Sequence, residues 1–283
     1  MTKLALGQTF RHIRQNKHFS SKEVCAGIVS RSFLYKFEQG ESDIAVSKLL
    51  QLLSRIAVSF DELTWAANQE HTFESAFYID LFIAIENHDQ RKLASLAQGS
   101  NSNSLSARLT KNLAALYVEN AENKKAKCRF IYNYLLSVDN WNRYELQLCN
   151  YLIPMIQPEN TKVLFQKSLD CLLSYRNMFD DSYINFFSYI SLATSSILLR
   201  SRALADAKKV LQLTQQAAKQ AVNERLAMTI AFQQGLIGLY EDDSIQAVKR
   251  SADIVEAVRQ FNPKNADMFA KILQIHLKNV LHQ

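Results

Sequence analysis

The sequence predicts an all-α protein with a small helical head and a long array of paired helices. Three observations lead there. Only 6 glycines and 3 prolines interrupt 283 residues, whereas strands and their turns need more breakers. Apolar residues recur at helical spacing along almost the whole chain, and 48% hydrophobic content is ample for a buried core. From about residue 139, helix starts recur every 41 or 42 residues, near Trp141, Tyr183, Arg225 and Ala266.

The head begins with a helix over about 4–16, with Leu4, Leu6, Phe10 and Ile13 as its apolar stripe and Arg11, Arg14 and Lys17 projecting elsewhere. Ser20 followed by Glu23 is a capping-box pair that starts a second helix, in which Val24 and Cys25 face inward. Ser30 caps a third helix with Leu34 and Phe37 inside and Gly40 at the left-handed stop. Two short helices joined by a tight turn are the arrangement that lays one helix in a DNA major groove. A fourth helix, about 45–56, is expected to bury Val46, Leu49, Leu50, Leu52 and Leu53. Ser59 and Glu62 open a fifth, followed by Leu63 and Trp65.

Charge agrees with this placement. Residues 1–36 hold seven cations (Lys3, Arg11, Arg14, Lys17, Lys22, Arg31, Lys36) and one acid, Glu23, so the segment carries the chain's entire net +6 and the remainder sums to zero. Phosphate contacts are expected from Arg11, Arg14, Lys17 and Lys36. Base readout is expected from Arg31, Ser32, Phe33 and Tyr35, early outward positions of the third helix. Packing within the domain is the alternative role for Phe33 and Tyr35.

Beyond the head, at a boundary set at 67/68, helices are expected over about 73–86, 90–98, 104–118 and 123–136, with 99–104 as a polar surface turn. First helices then start at the four repeat positions, and partner helices lie near 160–178, 203–219 and 245–261. Pro154, Pro158 and Pro263 mark breaks and starts. Helix pairs repeating at this period make a right-handed TPR-like α-solenoid, degenerate because the repeat's signature residues are mostly missing. Such a solenoid curves, and its inner face suits an extended peptide. The polar side chains expected there are Arg143, Gln147, Asn150, Asn185, Tyr189 and Gln233. Asn and Gln can bond an extended backbone whatever its sequence, and an Arg can take a carboxylate. The alternative for each is an internal polar contact or solvent. Phe186 and Phe187 are read as core. The helix over about 265–281 has more apolar residues than one stripe, among them Met268, Phe269, Ile272, Leu273, Ile275 and Leu277, which suits a dimer surface or packing on the preceding pair.

Enzyme signatures do not occur. There is no GxSxG, P-loop or GxGxxG, the six histidines have no zinc-ligand spacing, and Cys25, Cys128, Cys149 and Cys171 have no CxxC spacing and read as small buried residues. No catalytic role, cofactor or metal is expected. No run of eighteen apolar residues occurs and residues 1–8 are too short an apolar run for a signal peptide, so a cytoplasmic location without membrane contact is expected.

Val24-Cys25, Ser30-Arg31-Ser32, Leu34, Phe37-Glu38-Gln39-Gly40-Glu41, Leu49-Leu50 and Ser59-Phe60-Asp61-Glu62-Leu63 resemble the phage-repressor (Cro/C1) helix-turn-helix, with Cys25 where Ala is usual and a turn one residue shorter. Trp141-Asn142-Arg143-Tyr144-Glu145-Leu146 resembles the W-x-x-Y-E-L segment of the Rgg/GadR/MutR regulators of Gram-positive bacteria, which also begin with a shortened repressor-type helix-turn-helix and are of similar length, so the resemblance covers nearly the whole chain. That resemblance implies a homodimeric regulator that binds double-stranded DNA and, through its helical repeats, a short re-imported peptide pheromone, with RNA polymerase as a further candidate partner. Some members cross-link the dimer through a cysteine in the fourth helix; Ile44-Ala45-Val46-Ser47-Lys48 has none. Cys149-Asn150 stands where the family has Gly-Asn. The competing readings are a protein-interaction adaptor and a phage-type repressor without a peptide ligand.

Overall fold

The computed structural model describes residues 3–70, 77–99, 104–118, 123–174, 181–219, 223–241 and 245–281. All regular structure among them is helical. The chain divides into two compact units, Met1–Asp80 and Leu81–Gln283.

In the first unit, α1 (Lys3–Asn16), α2 (Ser21–Cys25), α3 (Arg31–Glu38), α4 (Val46–Arg55) and α5 (Phe60–Glu70) enclose a core of Phe10, Val24, Leu34, Phe37, Leu49, Leu52, Leu53, Ile56 and Leu63. Local chemistry sets the boundaries. The Glu23 amide donates to Ser20 Oγ (3.2 Å) while Glu23 Oε2 accepts from the Ser20 amide (2.8 Å), which closes the expected box at α2. Ser59 and Glu62 do the same at α5. The α3 terminus is a Schellman motif. Gly40 sits at φ 76°, its amide donates to Phe37 O (2.9 Å), and the Glu41 amide donates to Lys36 O (2.8 Å). Gly7 has a different reason. A Cβ there would stand 1.9 Å from Phe37 O, so α1 lies directly on the end of α3.

Helix α4 departs from expectation. Leu49, Leu52 and Leu53 are buried, but Val46 is 64% and Leu50 49% exposed. A helix crossing one small core buries a single stripe, and α4 carries more aliphatic residues than that stripe holds.

The second unit has the larger part of α6 (Phe77–Glu86), then α7 (Gln90–Gln98), α8 (Leu105–Tyr117), α9 (Lys124–Ser137), α10 (Arg143–Leu152), α11 (Pro158–Ser174), α12 (Asp181–Arg200), α13 (Leu204–Ala218), α14 (Glu224–Glu241), α15 (Ile245–Arg259) and α16 (Pro263–Leu281), with a 3-10 turn at Ile153–Met155 after α10. The expected starts at 73 and ends near 178, and most of the polar turn 99–104, lie outside the described residues. From α7 to α10 and from α11 to α16 each helix packs on the next, and α8, α10, α12, α14 and α16 also pack on one another in succession, which makes two layers of an α-solenoid. The even layer curves inward, since α16 touches α12 as well as α14.

Trp141 and its neighbours lock one corner. Trp141 is buried and its indole N–H donates to Leu135 O (3.0 Å). Glu145 caps α10 by accepting from the Asn142 amide (2.9 Å) and from Tyr134 OH (2.7 Å). Burial and the Glu145 bond raise the Tyr134 phenol's pKa. The W-x-x-Y-E-L segment is therefore a structural corner between α9 and α10. Cys171 closes it, with its thiol on Trp141 O (3.1 Å) and its pKa pushed up to about 12 by burial. All four cysteines are free thiols, with Cys25, Cys149 and Cys171 buried. Small polar residues line the interior of α12, where Ser191 bonds Thr214 (2.6 Å). Among the described residues, no helix is long and apolar enough to cross a membrane and no His, Cys, Asp or Glu cluster suits a metal ion.

Candidate nucleic-acid interface and ligand pocket

In the first unit, the Ser30 cap, accepting from the Phe33 amide (3.1 Å), starts α3 so that Arg31, Ser32, Tyr35 and Lys36 are exposed and Phe33 is half-buried. Leu34, Phe37 and Glu38 hold the opposite face in the core. Arg11 is half-buried on α1.

Two of the expected phosphate contacts have structural occupations. Arg14 is buried: its Nε and Nη2 donate to the two oxygens of Glu38 (2.7 and 2.8 Å), and Nη1 donates to Phe19 O (2.8 Å). Burial and the ion pair with Glu38 turn this guanidinium away from any phosphate, which corrects the expectation for Arg14. Lys17 reaches the end of α4, where its ammonium donates to Ile56 O (3.0 Å) and Ala57 O (2.9 Å) at the negative pole of that helix. Arg55 was not singled out in the sequence. It donates to Glu23 O and Ala26 O and ties α4 to the end of α2.

In the second unit, a cavity of about 430 Å³ opens at the N-terminal ends of α12, α14 and α16. Asn185, Arg225, Asn265, Met228 and Phe269 are among its lining residues. Asn223 and Asn262, also on the wall, are caps: their carboxamide oxygens accept from the Leu226 and Asn265 amides (3.1 Å each). Tyr189 joins the walls. Its hydroxyl accepts from Arg225 Nη1 and donates to Asn265 Oδ1 (3.2 Å), and the Arg225 guanidinium lies 5.3 Å from its ring centre. Arg225, Asn223 and Asn265 escaped sequence reasoning because their shared cavity is assembled from helices far apart in the chain.

Of the other expected ligand contacts, Arg143 is exposed and Gln147 and Asn150 are half-buried, one helical turn apart on α10. The side chains of those two and of Asn185 make no hydrogen bond among the described residues. Gln233 is fully buried, donating to Ser191 Oγ (2.8 Å) and Ser195 Oγ (3.2 Å), which corrects its expectation as a surface ligand contact. Its spacing on α14 resembles that of an inner-face residue, but α14 packs against α12, α13, α15 and α16 and has little open face. Phe187 is core, as expected, and packs 5.7 Å from Phe165.

A family profile described as "HTH-type transcriptional regulator Rgg, C-terminal domain" matches residues 87–271. The chain belongs to the Rgg family of transcriptional regulators. Solved structures agree in fold. A putative transcriptional regulator from Listeria monocytogenes EGD-e superposes with a TM-score of 0.81 at 20% identity, covering 97% of each chain. The SHP pheromone receptor Rgg2 of Streptococcus dysgalactiae gives 0.76 at 16% identity, covering 96% of this chain and 99% of that one. A PrgX/cCF10 complex gives 0.75 at 13% identity, covering 99% of this chain and 93% of that one. The Rgg profile covers the helical-repeat unit from just after α6 into α16, and with it the Trp141 corner and the cavity wall.

Proposed function

We propose that this Rgg-family chain is a cytoplasmic, homodimeric DNA-binding regulator whose promoter binding is set by a short peptide held on the even-helix layer of its repeats. Arg31, Ser32, Phe33, Tyr35 and Lys36 read and hold the duplex, with Arg11 on the backbone. Two such heads address paired half-sites. The exposed apolar positions of α16, Ile275 at 45% and Leu281 at 79%, support a subunit contact through that helix. RNA polymerase is a further partner in this reading.

The observation that carries the peptide reading is the set of half-buried carboxamides Gln147, Asn150 and Asn185, which have no internal partner among the described residues. A half-buried amide without a bond is costly unless water or a ligand completes it. A peptide backbone supplies matching donors and acceptors. The cavity volume lies within the range of about 300–1,000 Å³ usual for small-ligand sites, enough for one end of a short peptide. Arg225 is placed to receive a carboxylate there. Two named neighbours support the class of ligand: one is called a pheromone receptor and the other a complex of PrgX with cCF10.

An electrophoretic shift with the chain's own promoter DNA, with and without a library of short hydrophobic peptides, tests this. Saturable, sequence-specific binding altered by one peptide is the expected outcome. Absence of any DNA binding at low salt contradicts the regulator reading.

A further inference from the structure

The zero net charge of the chain beyond residue 36 conceals a second basic block. Residues 90–137 hold eight cations (Arg91, Lys92, Arg108, Lys111, Lys124, Lys125, Lys127, Arg129) against two acids, Glu119 and Glu122, a net charge of +6. The block falls on three helices packed in succession, α7, α8 and α9. Arg91, Arg108, Lys111, Lys124, Lys125 and Arg129 are exposed, and none of the six forms an ion pair among the described residues. Two of them bridge adjoining elements: Arg108 on α8 lies over the Phe130 ring of α9 at 4.8 Å, and the Lys111 stem comes within 3.0 Å of where a Cβ at Gly99, beyond α7, would stand.

Eight cations against two acids in this stretch repel one another and destabilise the bare surface. A polyanion relieves that repulsion. The face also lacks the apolar centre of a protein-docking site. Its exposed large apolar side chains are Leu105, the first residue of α8, and Leu136 near the end of α9. Leu136 is about 18 Å along that helix from Lys124. Lysines as separate, hydrated point charges match a phosphate backbone rather than a shaped ligand.

We propose that the α7–α9 face is a second, sequence-independent contact for duplex DNA, carried by the repeat unit and distinct from the α3 readout. This rests on the DNA-binding reading above. The face adds phosphate contacts and therefore affinity and salt dependence, and it contributes no base preference.

The test is fluorescence anisotropy of the full-length chain on a random-sequence duplex of several helical turns, titrated over a range of KCl. A combined Lys111→Gln, Lys124→Gln, Lys125→Gln and Arg129→Gln variant should bind more weakly, on the order of tenfold at low salt. Its salt slope should fall by about 0.9 for each phosphate contact removed. Replacing the three lysines by Arg should keep the wild-type slope. Circular dichroism melting of each variant reports that the helices persist. A glutamine variant that keeps the wild-type slope, while Arg31→Ala lowers it, overturns the proposal and assigns the face to solvent or an acidic protein. A wild-type chain that binds no duplex at low salt fails the DNA-binding reading itself.

Discussion

Arg14 and His276 show how one side chain's role depends on what the fold places opposite it. On α1, Arg14 has the same spacing and chemistry as Arg11, so periodicity alone puts both on a basic face. Its partner, Glu38, is 24 residues away and is supplied only by tertiary packing. Arg14→Ala leaves the Glu38 carboxylate buried without its counter-charge, and this costs about 3–5 kcal/mol. The expected result is a large fall in the urea midpoint of the first unit; a midpoint unchanged from wild type would show that the pair is not buried in solution. His276 is fully buried between Ser196 Oγ (2.8 Å from Nε2) and Tyr240 OH (2.7 Å from Nδ1). Burial, and secondarily the charge of Arg200, push its pKa down from 6.5 to about 4. The folded state thus disfavours the proton that the unfolded chain accepts. Stability from this group is complete above about pH 6.5 and is lost as pH falls from there towards 4, a loss on the order of 3 kcal/mol. Thermal melts across that window should show a steeper decline for wild type than for His276→Asn. Parallel declines would remove His276 from the account.

At the scale of elements, much was legible because the signals are local. The boxes at Ser20 and Ser59, the Ser30 cap and the Gly40 stop act within a few residues, and each closes the hydrogen bonds that its sequence pattern demands. In the repeats Pro263 marked a helix start, as expected, and Pro158, expected in the break after α10, is the first residue of α11. Close approach was not legible. Gly235 resembles any helical glycine, yet a Cβ there would stand 2.3 Å from Ser251 Oγ. This glycine lets α14 lie against α15. Gly235→Ala should lower the melting temperature of the second unit by forcing those helices apart, at a cost of about 1–3 kcal/mol. Ser251→Gly in the same chain should restore most of it, a coupling that a double-mutant cycle measures. An additive result would mean that the alanine clashes elsewhere or nowhere. Exposure of Val46 and Leu50 was also beyond the sequence, since leucine count says nothing of how wide a stripe a small core can cover.

For the whole molecule, the exposed positions of α3 were readable and the composition of the second unit's cavity only partly so. Exposed positions on α3 follow from one helix and its cap. The cavity instead gathers Asn185, Arg225 and Asn265 from α12, α14 and α16, whose meeting depends on the curvature of the even layer. Gln233 fits the linear pattern and is nonetheless inside, because α12, α13, α15 and α16 enclose α14. Under the proposed function, peptide occupancy and DNA occupancy share free energy. The most direct measurement is the affinity of the chain for its selected peptide, determined by calorimetry with and without saturating promoter duplex. Linkage requires the peptide's affinity to change by the same factor by which the peptide changes DNA affinity. A matched shift, on the order of 5–150-fold for an ordinary coupling of about 1–3 kcal/mol, is the result the account expects. Equal peptide affinity in the presence and absence of duplex would contradict it.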